Sequence, residues 1–148
     1  MAQKLQKKTF APKKEEVIRK WYLIDAKDQV VGRLAVTVAQ LLRGKGKNFF
    51  SPSVDCGDFV IVINVKDVKF TGDKMNQKMY RHHSGYKGGL KETTATKMME
   101  RKPSYALLHA VKGMIPRNNL RTGVLKKLHL YADDKHPHEA QKPEIIKL

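Results

Sequence analysis

Residues 21–43 read WYLIDAKDQVVGRLAVTVAQLLR, and residues 59–64 read FVIVIN. In the first stretch Trp21–Asp25 sets four bulky side chains in a row, which suits a strand covered on both faces. After a turn at Lys27–Asp28, residues Val31, Leu34, Ala35, Val38, Leu41 and Leu42 recur at helical spacing. That predicts a helix over 31–43, with Gly44 as its natural stop. Phe59–Asn64 is β-branched, strongly apolar and preceded by Gly57–Asp58, so it reads as a central buried strand. Val68–Thr71 reads as a short further strand ending at Gly72. Strand, helix and strand at this spacing predict a right-handed crossover and a parallel pair.

The rest of the chain is arranged around that unit. Residues 1–20 hold Pro12 and four Lys by position 13, and read as an extended basic arm. Such an arm is expected to be mobile in the free protein and ordered on a polyanion. Residues 72–91 contain four Gly and few aliphatics, so they are expected to form a long projecting loop or hairpin. A helix is expected over Thr94–Arg101. A second starts at Pro103, a favoured first-turn residue, and ends before Pro116. A short helix around Leu120–Leu125 leads to a last strand, Leu128–Tyr131. The tail from Asp133 reads as polar and irregular. The expected organisation is an arm over 1–20 and one α/β domain over 21–148.

Charge narrows the function. The 148 residues carry 30 Lys and Arg against 14 Asp and Glu, a net +16. The excess is patchy. Residues 1–20 hold seven bases and two acids, net +5; residues 97–127 hold eight bases and Glu100 alone, net +7. Residues 51–73 are net −2, with Asp55, Asp58, Asp67 and Asp73 against Lys66 and Lys69. A charge this large repels itself in a compact state. A polyanion relieves the repulsion and gains counterion entropy on binding. Nucleic acid is therefore the expected partner.

Other classes find little support. Cys56 is the only cysteine, so a disulfide framework within the chain is impossible and a reducing compartment is expected. The longest apolar run, Phe59–Ile63, is far short of the roughly 18 residues that a membrane helix needs. The Lys-rich opening lacks the apolar region of a secretory signal. The turn at Asp28–Gly32 has one Gly, not the spaced set that lets a backbone approach a pyrophosphate. Gly44–Lys47 follows a helix and lacks phosphate-loop spacing. His82–His83 would point to opposite faces of a strand, and His136 with His138 would need further ligands to hold a metal. No local signature activates Cys56 as a nucleophile, and a small buried thiol is the simpler reading. No cofactor, metal or catalytic residue is expected.

Residues 78–89, KMYRHHSGYKGG, combine what RNA recognition requires. Cations neutralise phosphates, aromatics stack on unpaired bases, and Gly lets backbone approach closely. A solvated hairpin with idle tyrosines is the plainer alternative. A second basic region, Lys112 to Lys127, sits beside the Met114–Pro116 helix break. An ordinary charged face would mix signs more evenly.

Over nearly its whole length the chain resembles the ribosomal protein L-thirteen family in its bacterial form. The matching stretches are Trp21–Ala26 (WYLIDA), Gly32–Ala35 (GRLA), Leu42–Lys45 (LRGK), Gly57–Val60 (GDFV), Ser84–Leu90 (SGYKGGL), Ala110–Pro116 (AVKGMIP), and His136–His138 (HPH) with Ala140–Pro143 (AQKP). Lys8–Lys13 also resembles the family's opening. Two departures stand out: the Gly-Arg pair usual after the Pro116 break is here Arg121-Thr122, and the Gly usual after the Tyr-Ala of the last strand is Asp133.

The resemblance implies a three-layer α/β/α fold with a four-stranded parallel sheet. It also implies a structural place in the large ribosomal subunit, bound to large-subunit ribosomal RNA beside neighbouring ribosomal proteins in the cytoplasm. A role in early subunit assembly, and repression of the protein's own mRNA, are further implications. Neither a membrane nor a homo-oligomer is expected. The residues expected to contact RNA are Lys8, Lys13, Arg43, Lys45, Lys47, Lys74, Lys78, Arg81, His82, His83, Tyr86, Lys87, Lys112, Arg117, Arg121, Lys126 and Lys127. Two other classes compete: an RNA-processing enzyme, which would need convergent acid–base or metal groups, and a DNA-compacting protein, for which no helix-turn-helix or zinc finger is present.

Overall fold

Strand β1 (Trp21–Asp25) lies parallel to β2 (Phe59–Ile63), in register from Trp21 opposite Phe59 to Asp25 opposite Ile63. The computed structural model describes residues 12–146. Between these strands runs α1 (Val31–Arg43), which ends at Gly44 in the left-handed conformation, φ 70°. The Gly44 amide donates to the carbonyls of Gln40 and Leu41, so the helix stops where the sequence places its C-cap.

Two more parallel strands complete the sheet. β5 (Leu128–Leu130) pairs with β2, and β6 (Glu144–Ile146) pairs with β1. The order is β5-β2-β1-β6. The fold is thus mixed α/β, with a four-stranded parallel sheet flanked by helices, as expected.

Two details differ from the expectation. Residues 68–71 are not a sheet strand: Lys69 makes only an isolated bridge to Val30, while Val68 is buried and Phe70 packs against the core. Packing of these two side chains, rather than a ladder, accounts for the apolar spacing. The fourth strand comes instead from the tail that reads as irregular. Its Glu-Ile-Ile triplet is an edge strand, with Ile145 exposed and Ile146 turned to the core.

The sheet has two unlike faces. Ile24, Val60 and Val62 point to one side, where α1 meets α4 (Pro103–Met114). Val31, Leu34, Ala35, Val38 and Leu42 of α1 pack there with Leu107 and Val111 of α4, and with Val124 of α5 (Leu120–Leu125). Burying this apolar area is the main favourable term in folding.

Ile61 is fully buried and points the other way, level with His129. On that face Trp21 stacks on Phe59 at 4.3 Å and lies 5.3 Å from the His138 ring. His138 shares a hydrogen bond with the Tyr131 hydroxyl, 2.8 Å. The HPH stretch therefore closes an aromatic layer. Among the described residues no three His, Cys, Asp or Glu side chains converge as a metal site would require.

The remaining elements build a projection. After the four-residue turn of α2 (Lys74–Gln77), strands β3 (Met79–His83) and β4 (Leu90–Thr94) form an antiparallel hairpin, which runs into α3 (Ala95–Arg101). The expected loop or hairpin over 72–91 is this hairpin. No helix among the described residues is long and apolar enough to cross a membrane.

Candidate nucleic-acid interface

The hairpin is built to be held at one end and open at the other. At its base Tyr80 is 7% exposed and packs edge-on against Tyr105 and His109 of α4, at 5.4 and 5.5 Å. Burial raises the Tyr80 phenol above its ordinary pKa, so the ring stays neutral. Every other β3 side chain is exposed. At the tip, Gly85 and Gly88 take positive φ, 93° and 69°, which side chains rarely adopt. Gly89 closes the turn, accepting from the Ser84 amide at 3.0 Å and donating to the Tyr86 carbonyl at 2.9 Å. A Cβ there would lie 2.1 Å from the Ser84 hydroxyl oxygen. This folding leaves Tyr86 80% exposed beside Lys87.

The cations of the hairpin are displayed along it, from base to tip. Lys78, Arg81, His82, His83 and Lys87 are all exposed. Lys78 reaches over the Tyr80 ring, 5.4 Å from its centroid. Arg81 pairs across the strands with Glu92 at 2.6 Å, a solvent-exposed contact of small worth. His83 accepts from the Gly85 amide through Nδ1, 3.0 Å, and so orders the turn. Lys74, at the base, donates to the Thr71 hydroxyl.

A second basic group gathers where α1 and α4 both end. Arg43 lies over the Phe50 ring and, with Lys45, borders a cleft that includes Met114. Lys112, Arg117 and Lys126 are exposed nearby in sequence. Arg121 donates to the Lys112 carbonyl, capping the end of α4. The base of the hairpin adjoins the opposite end of α1, at Val30–Gly32. A 13-residue helix is about 20 Å long, so the two basic groups stand about that far apart.

Two of the expected contact residues instead face inward. Lys127 is 5% exposed and donates to Asp55 at 2.6 Å and to the Leu42 carbonyl at 3.1 Å. Burial is the largest influence on its ammonium and lowers its pKa, with Asp55 opposing the shift. Lys47, with its side chain 17% exposed, donates to buried Asp58 at 2.6 Å and to the Ile18 carbonyl at 2.8 Å. Asp58 also accepts from the Lys20 amide, 2.8 Å, which fixes residues 18–20 to the start of the sheet. Charge counting cannot tell an inward lysine from an outward one. The available signal was the acidic stretch 51–73, whose Asp55 and Asp58 are the partners.

At the arm, Lys13 is exposed and lies outside the buried pairs, while Lys8 lies outside the described residues. Sequence reasoning did not single out Lys69 or His109, which border the cleft at the hairpin base. Neither belongs to a basic run, so only the fold brings them there.

Comparison with known proteins places the sequence among named relatives. A family model described as Ribosomal protein L13 matches residues 19–137. The protein named large ribosomal subunit protein uL13 of Syntrophomonas wolfei is 52% identical over 141 residues, covering 95% of this chain and 98% of its own. That of Geobacter sulfurreducens is 51% identical over 140 residues, covering 95% and 98%. That of Desulfitobacterium hafniense is 54% identical over 137 residues, covering 93% and 96%.

Proposed function

This chain belongs to the ribosomal protein L13 family, and from that premise we propose that it is a structural constituent of the large ribosomal subunit that binds large-subunit ribosomal RNA. It is a structural protein rather than an enzyme, and its place is the cytoplasmic ribosome, among neighbouring large-subunit proteins. The observation that carries the RNA reading is the division of labour in the hairpin. Tyr80 anchors it, the glycine turn presents Tyr86 and Lys87 to solvent, and β3 and the base expose the two histidines and Lys78. Such a surface can hold phosphates by charge and an unpaired base by stacking.

The contact set comprises Lys74, Lys78, Arg81, His82, His83, Tyr86 and Lys87 on the hairpin, and Arg43, Lys45, Lys112, Arg117, Arg121 and Lys126 where the helices end. Residues 1–20 act as a basic arm through Lys8 and Lys13, and residues 21–148 form the folded RNA-binding domain. Lys47 and Lys127 act from inside, holding Asp58 and Asp55. Support of early subunit assembly follows from a protein that engages RNA through two separated surfaces. The same surfaces suit a structured segment of its own mRNA, through which it represses translation.

Sedimentation of cell lysate tests the reading. The protein is expected to travel with large subunits through moderate salt. Recovery only in the free fraction overturns it.

A further inference from the structure

Between the first turn of α1 and the base of the hairpin lies an open cavity of about 210 Å³. Its floor is apolar and aromatic, with Tyr80, Phe70 and Ala110 among the lining residues. Its lining also includes Lys69, Lys74 and Lys78, three cations from the segment that leads into and starts the hairpin. Their partners are weakly held: Lys69 pairs with Asp28 in a contact where both side chains are 63% exposed, Lys74 donates to the neutral Thr71 hydroxyl, and Lys78 lies over the Tyr80 ring. His109, exposed on α4 and also part of the lining, supplies a ring nitrogen for hydrogen bonding. An apolar slot bordered by cations fits a flat base with a phosphate attached, and the volume is small beside that of pockets for larger ligands, which run from roughly 300 to 1,000 Å³.

We infer that this cavity receives one unstacked nucleotide of the bound RNA, its base against the half-buried Phe70 and its phosphate between Lys74 and Lys78. The inference rests on the RNA-binding reading and adds a specific pocket to it. Charge alone would make the surface sticky and sequence-blind. A pocket for one extruded base gives the interface a fixed register. Stacking on the Phe70 ring adds affinity beyond that of the phosphate contact without releasing further counterions.

The test uses the full chain, an in vitro transcript of large-subunit ribosomal RNA, and Gly32→Phe. Gly32 lines the cavity, and apart from its own stretch of α1 no atom lies within 4 Å of where its Cβ would stand, so bulk added there obstructs the mouth without meeting a neighbouring element. Ala110→Leu fills the floor from α4 and serves as the second variant if the first fails to fold. Affinity is read across a salt series, together with chemical probing of the transcript at each nucleotide. Gly32→Phe is expected to weaken binding roughly 5- to 150-fold, the equivalent of one stacked base. The salt slope should fall by about 0.7–0.9, the share of the one phosphate held between Lys74 and Lys78, and one nucleotide should lose its protection. Unchanged affinity and probing overturn the pocket while leaving RNA binding intact. A slope lowered by the equivalent of two or more phosphates overturns it too, since the loss then reaches beyond one nucleotide. A wild-type chain that fails to bind the transcript removes the RNA reading and the pocket with it. Titration with AMP, GMP, CMP and UMP separates the sources. Micromolar saturation by a free nucleotide that Gly32→Phe abolishes, with transcript binding unaffected, assigns the site to a free ligand and overturns the inference.

Discussion

Gly57 packs so closely on Leu42 that a Cβ at Gly57 would lie 1.7 Å from the Leu42 carbonyl oxygen. That same carbonyl accepts from Lys127, so the end of α1, the entry to β2 and the entry to β5 meet at one point. The backbone there cannot yield without breaking the lysine contact. Gly57→Ala is therefore expected to destabilise by about 3 kcal/mol or more, a large share of a typical total of about 5–15. Thermal or denaturant unfolding measures it; a melting temperature within a degree or two of wild type would contradict the close packing.

Lys127→Ala should behave as the loss of a buried partner rather than of a surface charge. It leaves Asp55 uncompensated and the Leu42 carbonyl without its donor. The expected cost is about 3 kcal/mol, the low end of the range for breaking a buried pair, because Asp55 keeps 20% side-chain exposure. In a double-mutant cycle Asp55→Ala should recover part of that loss. Strictly additive losses would show that the pair is not coupled.

The hairpin cations should divide from stability altogether. Lys78→Ala, Arg81→Ala and Lys87→Ala together are expected to leave the melting temperature nearly unchanged. They should also lower the slope of log affinity against log salt by about 2–3, from about 0.7–0.9 per phosphate contact. An unaltered slope in a filter-binding series would move the phosphate contacts to the Arg43–Lys112 side.

The two tyrosines of the hairpin make a paired test. Tyr86→Ala should weaken RNA binding by about 1–3 kcal/mol, with little change in the slope or in stability. Tyr80→Ala removes the buried anchor and should lower the melting temperature, with slackening of β3 and β4 visible as faster amide exchange. Equal effects of both on stability would mean that the tip is packed rather than displayed.

Acid should loosen the aromatic layer. Burial, and then the like charge of His138, hold His129 below its ordinary pKa. The native state thus disfavours its proton. The stability it contributes is complete above the unfolded value of about 6.5 and falls away as pH drops through the lower native value. Melting temperatures at about pH 7.5 and about pH 5 should differ more in wild type than in His129→Asn. Identical differences would place the titration elsewhere.

Much of the fold was legible in the sequence because its core obeys simple periods. The 31–43 helix, its Gly44 stop and the paired strands at 21 and 59 follow from apolar spacing and one left-handed glycine. Edge strand β6 was not legible: three residues with one side exposed carry too short a pattern to separate from a polar tail. Val68 and Phe70 misled for the converse reason, being apolar for packing without pairing. In the candidate interface, composition located the hairpin and its glycine turn. It could not tell Tyr80 from Tyr86, nor Lys47 and Lys127 from their outward neighbours, because direction is a property of the fold.

The strand order also fixes a calendar for the growing polypeptide. β1 and β2 can pair once residue 63 is free, but β2 gains its outer neighbour only at residue 128, and β1 waits until residue 144. The hairpin, by contrast, closes locally between residues 79 and 94. A nascent chain therefore displays its cationic projection while the sheet is still half built. RNA that meets the hairpin at that moment meets a chain whose last strand has yet to be made.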